Sequence, residues 1–340
     1  MPTSEPQVPN LISGSSHAVA TTDIHDVPSG GGLAVPPAAA IPEGGETGSS
    51  GSIYRIIGRV FIENKLAVVG LALIIFFLIF CFLGPFVYHT QQLQILLRPI
   101  LAPGTCQGAS TITGPPCPFG TEGQGFDVLG RLMLAGQSDI EVGLAAAAVA
   151  TMIGVIWGAV AGYVGGIIDS VMMRFVDILL SIPFLLLLIV IATIWRPGKW
   201  ALVLIIGCLA WLTPARLIRG ETLTLRTREY VQAVRVMGGS GRRIVMRHII
   251  PNAIGTIVVN ATFQVADAIL TLAALSFLGL GLHYPQTDWG LMLNDGSYYV
   301  SMGYWWLIVY PGACIVLLVV AFNFIGDALR DSLEVRLQRR

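Results

Sequence analysis

The chain is 340 residues long, 54% hydrophobic and only 12% charged, with a mean hydropathy of +0.73. A soluble globular domain carries about 25% charged residues, so this composition excludes an ordinary soluble protein and places most of the chain in lipid. All but two of the 20 basic residues are arginine; the lysines stand in Asn64-Lys65-Leu66 and Gly198-Lys199-Trp200, which excludes a phosphate-binding Gly-Lys-Ser/Thr loop.

Residues 1–52 are rich in Gly, Pro, Ser and Ala, with five acids and no Lys or Arg. They lack the basic and apolar regions of a signal peptide and are expected to form a disordered cytoplasmic tail. A second region, 53–137, holds the first hydrophobic span and a long polar loop. A third, 138–340, holds the remaining spans. Hydropathy places six spans at roughly 66–88, 141–162, 175–195, 200–218, 252–275 and 304–326, each near the ~20 residues a bilayer requires. The fourth is short and contains Pro214; the fifth contains Asp267.

Orientation follows from the basic residues. With both termini inside, the cytoplasmic segments hold 16 of the 20, and the external segments hold Arg98, Arg131, Arg196 and Lys199. Cys81, Cys208 and Cys314 lie in apolar runs and are expected to pack as small hydrophobes. Cys106 and Cys117 share the external loop, as a disulfide or as two free thiols. The external segment 276–303, with Trp289 and Tyr298-Tyr299, is expected to dock an external partner or to serve as a connector.

Arg216 to Pro251 is 36 residues with eight arginines against Glu221 and Glu229. Tyr230, Ala233, Val234 and Met237 fall at i, i+3, i+4 and i+7, which predicts one short helix with an apolar stripe and arginine on its back. Gly238-Gly239 ends it, Ser240 is placed to cap a second helix, and Pro251 closes the segment. Such a helix suits insertion into an acidic-rimmed groove; anchoring at lipid headgroups is the plainer alternative.

Ionisable groups inside a membrane are costly and point to function. Asp267 is therefore expected to line a translocation path, or else to be satisfied by Gln264 and Thr271. Arg174 and Asp177, at i, i+3, are expected to form an ion pair. Gly154, Gly158 and Gly162 give small-xxx-small spacing for close helix contact. The five histidines show no metal-ligand spacing, and no catalytic set is assignable.

Gln232-Ala233-Val234, three residues, Gly238, nine residues and His248-Ile249-Ile250-Pro251 resemble the EAA motif of the membrane subunits of ATP-binding-cassette importers. Gln232 replaces the glutamate and Val234 the second alanine. Asp127-Val-Leu-Gly-Arg131, Arg174-Phe-Val-Asp177, Leu275-Ser-Phe-Leu-Gly-Leu-Gly281, Asp288-Trp-Gly290 and Ala321-Phe-Asn-Phe-Ile-Gly-Asp327 extend the resemblance over about residues 53–337. They are similar to the C-type permease of the dipeptide/oligopeptide branch; Gly120–Asp127 departs from that branch's Gly-Thr-Asp-x-x-Gly-Arg-Asp form.

The resemblance implies an all-α polytopic protein of six transmembrane helices with the type I importer permease fold, N-in and C-in, in a bacterial or archaeal plasma membrane. It implies that loop 216–251 forms a coupling helix seated in a cytoplasmic ATPase through Glu229, Tyr230, Gln232, Ala233, Val234, Met237, Gly238, Gly239, Ser240 and Pro251. Its partners would be a second permease, two ATPases carrying ATP and magnesium, and an external binding protein, with no nucleic acid. The chain would have no cofactor or catalysis of its own, and peptides would be the cargo. An acid is also implied one turn beyond Asp267, near Thr271 or Leu272, with Asp267 its relocated equivalent. An ion-coupled secondary transporter is the rival; it expects inverted repeats and several midplane acids, where one buried Asp is found.

Overall fold

The computed structural model describes residues 64–88, 100–104, 117–195 and 197–338, with side chains to Ser332; the tail 1–52 and Cys106 lie outside them. The described elements are helical, apart from one isolated bridge between Thr121 and Asp127. In chain order they are α1 (Lys65–Leu78), continued by a π turn (Ile79–Leu83) and Gly84–Val87; α2 (Val128–Val164); α3 (Gly166–Leu180); α4 (Phe184–Trp195); α5 (Lys199–Ala210); α6 (Leu212–Leu225); α7 (Glu229–Val236); α8 (Gly241–Ile244), continued by a π turn (Val245–Ile249); α9 (Ile254–Phe277); α10 (Trp289–Ser297); and α11 (Trp306–Gln338).

Four segments are long and apolar enough to cross a bilayer alone: Lys65–Val87, α2, α9 and Trp306–Ser332 of α11. The pairs α3/α4 and α5/α6 do so only as broken helices, bent by 73° and 43°. Both breaks have a proline cause. Pro183 has no N–H and disfavours helical backbone at Ile182, so α3 stops at Leu180. Pro214 sits in the first turn of α6, where it is tolerated, but it leaves the carbonyl of Ala210 without its i+4 donor. The spans expected at 175–195 and 200–218 fall on these two bent pairs, Gly166–Trp195 and Lys199–Leu225.

The second span is corrected, since α2 begins at Val128 rather than near 141. Asp127 caps it, its Oδ2 accepting the Gly130 N–H at 2.7 Å. Arg131, Ser138 and Asp139 depress the hydropathy of this stretch, yet all three are buried in protein.

One face of α2 is built of glycine and alanine, and α6 lies against it. A Cβ on Gly154 would stand 2.5 Å from Pro214 Cβ, one on Gly158 2.4 Å from the Ala215 carbonyl oxygen, and one on Gly162 2.8 Å from Thr222 Cβ. This contact is within the chain, as the small-residue spacing leads one to expect. α9 meets another stretch of the same helix, where Gly143 faces Ile269. α1 packs on α11 through Gly70, over the Ala321 carbonyl.

At the end opposite the arginine loop, polar side chains tie the connecting segments to α2 and α10. Arg131 pairs with Glu122 at 2.6 Å, donates to Thr287 Oγ1 at 3.2 Å and lies 5.1 Å above the Phe126 ring. The start of α10 is held twice: Trp289 N–H donates to Asp139 Oδ2 at 3.0 Å, and Leu291 N–H to Asp288 Oδ1 at 2.9 Å. Ser276 donates to Asp288 Oδ2 at 2.8 Å. Trp289 is fully buried, its indole N–H on the Leu132 carbonyl at 3.0 Å. The Asp127–Arg131, Leu275–Gly281 and Asp288–Gly290 strings thus close this end of the bundle.

Replacing Gly158 by alanine forces a methyl group into backbone, an overpacking expected to cost about 1–3 kcal/mol. Gly220, in α6, has nothing within 4 Å. Gly220→Ala is therefore expected to leave the melting temperature of the detergent-solubilised protein unchanged or raised, while Gly158→Ala lowers it.

The closed end is also pH-sensitive. Burial pushes the Glu122 carboxyl up to about 7, and the Arg131 charge only partly offsets it. Burial raises Asp127 to about 6 against the Gly130 hydrogen bond, and it raises Asp288 as well against the bonds from Ser276 and Leu291. A carboxylate raised in the fold stabilises it fully below the ordinary value of about 4 and loses that contribution as pH climbs through the folded value. The melting temperature should fall from pH 5 to pH 8, and Glu122→Gln should flatten the upper part of that decline.

Candidate functional site: the arginine loop and the cavity between the broken helices

The loop after α6 is a folded unit seated on the end of α2. α7 runs from Glu229 to Val236, with Glu229 in its first turn and Arg235 in its last, both favourable to the helix dipole. It ends at Gly238, whose φ of +79° suits glycine. The Gly239 N–H returns to the Val234 carbonyl at 2.9 Å and the Gly238 N–H to Arg235 at 3.1 Å, a Schellman closure. A Cβ on Gly239 would meet Val234 Cγ1 at 2.6 Å. Both glycines are needed, one for conformation and one for space.

The expected apolar stripe divides between two faces. Val231 is fully buried with Ile244 and Ile249, and Val234 packs beside them with Tyr163 and Leu225. Tyr230, Ala233, Val236 and Met237 are exposed, Val236 at 88% and Met237 at 77%. Val234 therefore faces the chain's own core, and Val231 and Val236, which the i, i+3, i+4, i+7 pattern passes over, belong to the inner and outer faces respectively. Gln232 donates from Nε2 to the Thr227 carbonyl at 3.1 Å, a bond that a carboxylate cannot make. Ser240 occupies the N-cap position of α8 in extended backbone, but its hydroxyl makes no capping bond, contrary to the expected cap. Pro251 lies exposed in the turn beyond the π segment, where Asn252 Nδ2 donates to the His248 carbonyl at 2.6 Å.

Half of the eight arginines are used within the chain. Arg219 grips Asp169 with two bonds of 2.5 and 2.7 Å, and Arg216 pairs with Asp177. The local Arg174–Asp177 pair is thereby corrected: Asp177 is taken by an arginine of α6, and the two pairs form antiparallel rungs between α3 and α6. Arg226 Nη1 donates to the Gly162 carbonyl at 2.9 Å, placing positive charge at the C-terminal end of α2. Arg235 lies 5.4 Å over the Tyr163 ring. Arg228, Arg242, Arg243 and Arg247 are exposed and have no partner among the described residues.

A cavity of about 470 Å³ lies where the two breaks face α9. Pro183 and Phe184 line it from the first break, Leu209, Ala210 and Thr213 from the second, and Gln264, Asp267 and Thr271 from α9. Gln264 Nε2 donates to the Ala210 carbonyl at 2.9 Å, replacing the donor that Pro214 lacks. Thr271 donates to the backbone carbonyl of Asp267 at 2.7 Å. Neither of the expected donors therefore reaches the Asp267 carboxylate, which has no partner among the described residues. Leu272 is fully buried in the core, whereas Asp267 and Thr271 line the cavity together. The Ala210–Pro214 spacing signals an orphan carbonyl; the identity of its donor is visible only in three dimensions.

Cys117 is disulfide-bonded, and Cys81, Cys208 and Cys314 are free.

Broken spans around a cavity and a cationic loop folded against one end define a multi-pass transport subunit. The profile of the family described as binding-protein-dependent transport system inner membrane component matches residues 154–339. That described as the N-terminal TM domain of oligopeptide transport permease C matches residues 52–103. Similar proteins include the oligopeptide transport system permease protein OppC of Haemophilus influenzae, 38% identical over 283 residues, or 83% of this chain and 88% of that one. The dipeptide transport system permease protein DppC of Bacillus subtilis is 37% identical over 82% of this chain and 84% of its own. OppC of Escherichia coli is 37% identical over 83% and 91%. The chain belongs to the family of binding-protein-dependent transport system inner membrane components. It is a multi-pass protein of the plasma membrane, working as one subunit of a transport complex.

Loss of the Gln264 donor would leave the Ala210 carbonyl unpaired within the bundle, at a cost of about 1–3 kcal/mol. Gln264→Leu should lower the melting temperature accordingly.

Proposed function

We propose that this chain is the permease half of an ATP-driven peptide importer. It forms one side of the pathway at the 470 Å³ cavity and passes ATPase motion into the spans through α7. The observation that carries this reading is the outward face of the loop. Tyr230, Ala233, Val236 and Met237 are exposed, as are Arg228, Arg242 and Arg243 of the same loop, while Val231, Arg226 and Arg235 fasten the other side to α2. An apolar centre in a cationic rim fits a groove with an acidic edge. The permease names of the relatives support peptides as cargo.

In this reading both termini are cytoplasmic. Asn64, at the start of α1, and Asp327 and Asp331 of α11 line one recess, and Gly326 of α11 packs on Phe263, in the loop-side half of α9. The partners are a second permease, two ATPases that bind ATP and magnesium, and an external binding protein. That protein docks on the opposite end, where Tyr284, Tyr298, Met302 and Trp305 are exposed. Cys117 is disulfide-bonded there, and Cys106, outside the described residues, is its proposed partner. The subunit performs no catalysis; Asp267 lines its path.

The test reverses the charge of the proposed contact without touching the buried side of α7. In the double variant Ala233→Glu, Met237→Glu, the ATPases should no longer co-purify with the membrane subunits, and peptide uptake should fall about tenfold or more. Retention of both would overturn the coupling role.

A further inference from the structure

We infer that the cavity between the two helix breaks binds the cationic amino end of the cargo, with the Asp267 carboxylate as its counter-charge; this rests on the importer reading above. Asp267 lies 13 residues after Ile254 in a 24-residue helix, roughly 20 Å along it at 1.5 Å per residue, hence near the middle of the span. A carboxylate there is costly and is kept where something offsets its charge. Among the described residues nothing of that kind reaches it. Gln264 is committed to the Ala210 carbonyl and Thr271 to the helix backbone. The remaining lining is largely apolar, with Phe184, Leu187, Ile206 and Leu209.

The chemistry complementary to this site is a primary ammonium next to an apolar group, which is the leading end of a peptide. The ammonium offers three donors to a carboxylate that accepts none from the described residues, and the apolar wall takes the adjoining side chain. The volume lies in the usual range of small-molecule sites, about 300–1,000 Å³. It suits the first residues of a peptide, and it exceeds what one basic side chain of a second permease would occupy. A cargo arriving carboxylate-first would meet like charge, so the site favours one direction of entry.

The experiment uses the complete complex, with both permeases, the ATPases and the binding protein, in proteoliposomes supplied with a protein hydrolysate of two- to five-residue peptides. Imported peptides are quantified by mass spectrometry for the wild type, Asp267→Asn and Asp267→Glu, with subunit co-purification and ATP hydrolysis measured on the same preparations. Asp267→Asn should co-purify with all of its partner subunits, yet import about tenfold less, the scale expected for losing a charged hydrogen bond. Asp267→Glu should retain most of the uptake. Wild-type uptake by Asp267→Asn would overturn the proposal. So would loss of the second permease from Asp267→Asn preparations, which would make Asp267 a structural charge between subunits. Absence of ATP-dependent peptide uptake by the wild type would remove the importer reading itself, and is a separate result.

Discussion

The contact between α2 and α6 is the constraint from which the rest of the structure follows. Gly154, Gly158 and Gly162 let the two backbones meet at distances that no side chain would allow. In lipid there is little hydrophobic drive between helices, so such close packing is a main source of association. The contact also fixes two distant features at once. At Gly154 it holds Pro214, and with it the break that lines the cavity. At Gly162 it holds Thr222, four residues before Arg226, whose guanidinium closes the end of α2 and seats the loop. The cavity and the loop are two ends of one packed helix pair.

Much of this is legible in the amino-acid sequence. The long apolar runs announce a helical membrane protein, the glycine spacing announces a close helix pair, and Gly238-Gly239 announces the end of α7. The start of α2 is not legible, because a hydropathy window weighs composition and cannot know that Glu122 and Thr287 neutralise Arg131 inside protein. The orientation of α7 is hidden for a related reason. An eight-residue helix with Val231, Val234 and Val236, followed at once by Met237, has apolar residues on several faces. Which face turns inward is decided by Ile244 and Ile249, which come from the following segment. Asp177 shows the same limit: local spacing offers Arg174, but Arg216, 39 residues away, takes the carboxylate.

The polar groups divide by how they are satisfied. At the closed end, Asp139, Asp288, Ser276 and Arg131 are bonded within the protein and serve as fasteners. At the loop, Arg216, Arg219, Arg226 and Arg235 do similar work, and the arginines left outward confer the surface charge. Asp267 belongs to neither group: its carboxylate has no partner among the described residues.

The break between α5 and α6 has one more consequence. A helix interrupted by a bend can ordinarily straighten and recover the hydrogen bond it lost, so bending and winding compete. Here winding gains nothing, because Pro214 has no N–H to return to Ala210. The carbonyl is already served by Gln264 of α9. The joint therefore has no wound state to fall into, and the Gln264 bond ties its α5 side to α9 whatever angle α6 takes.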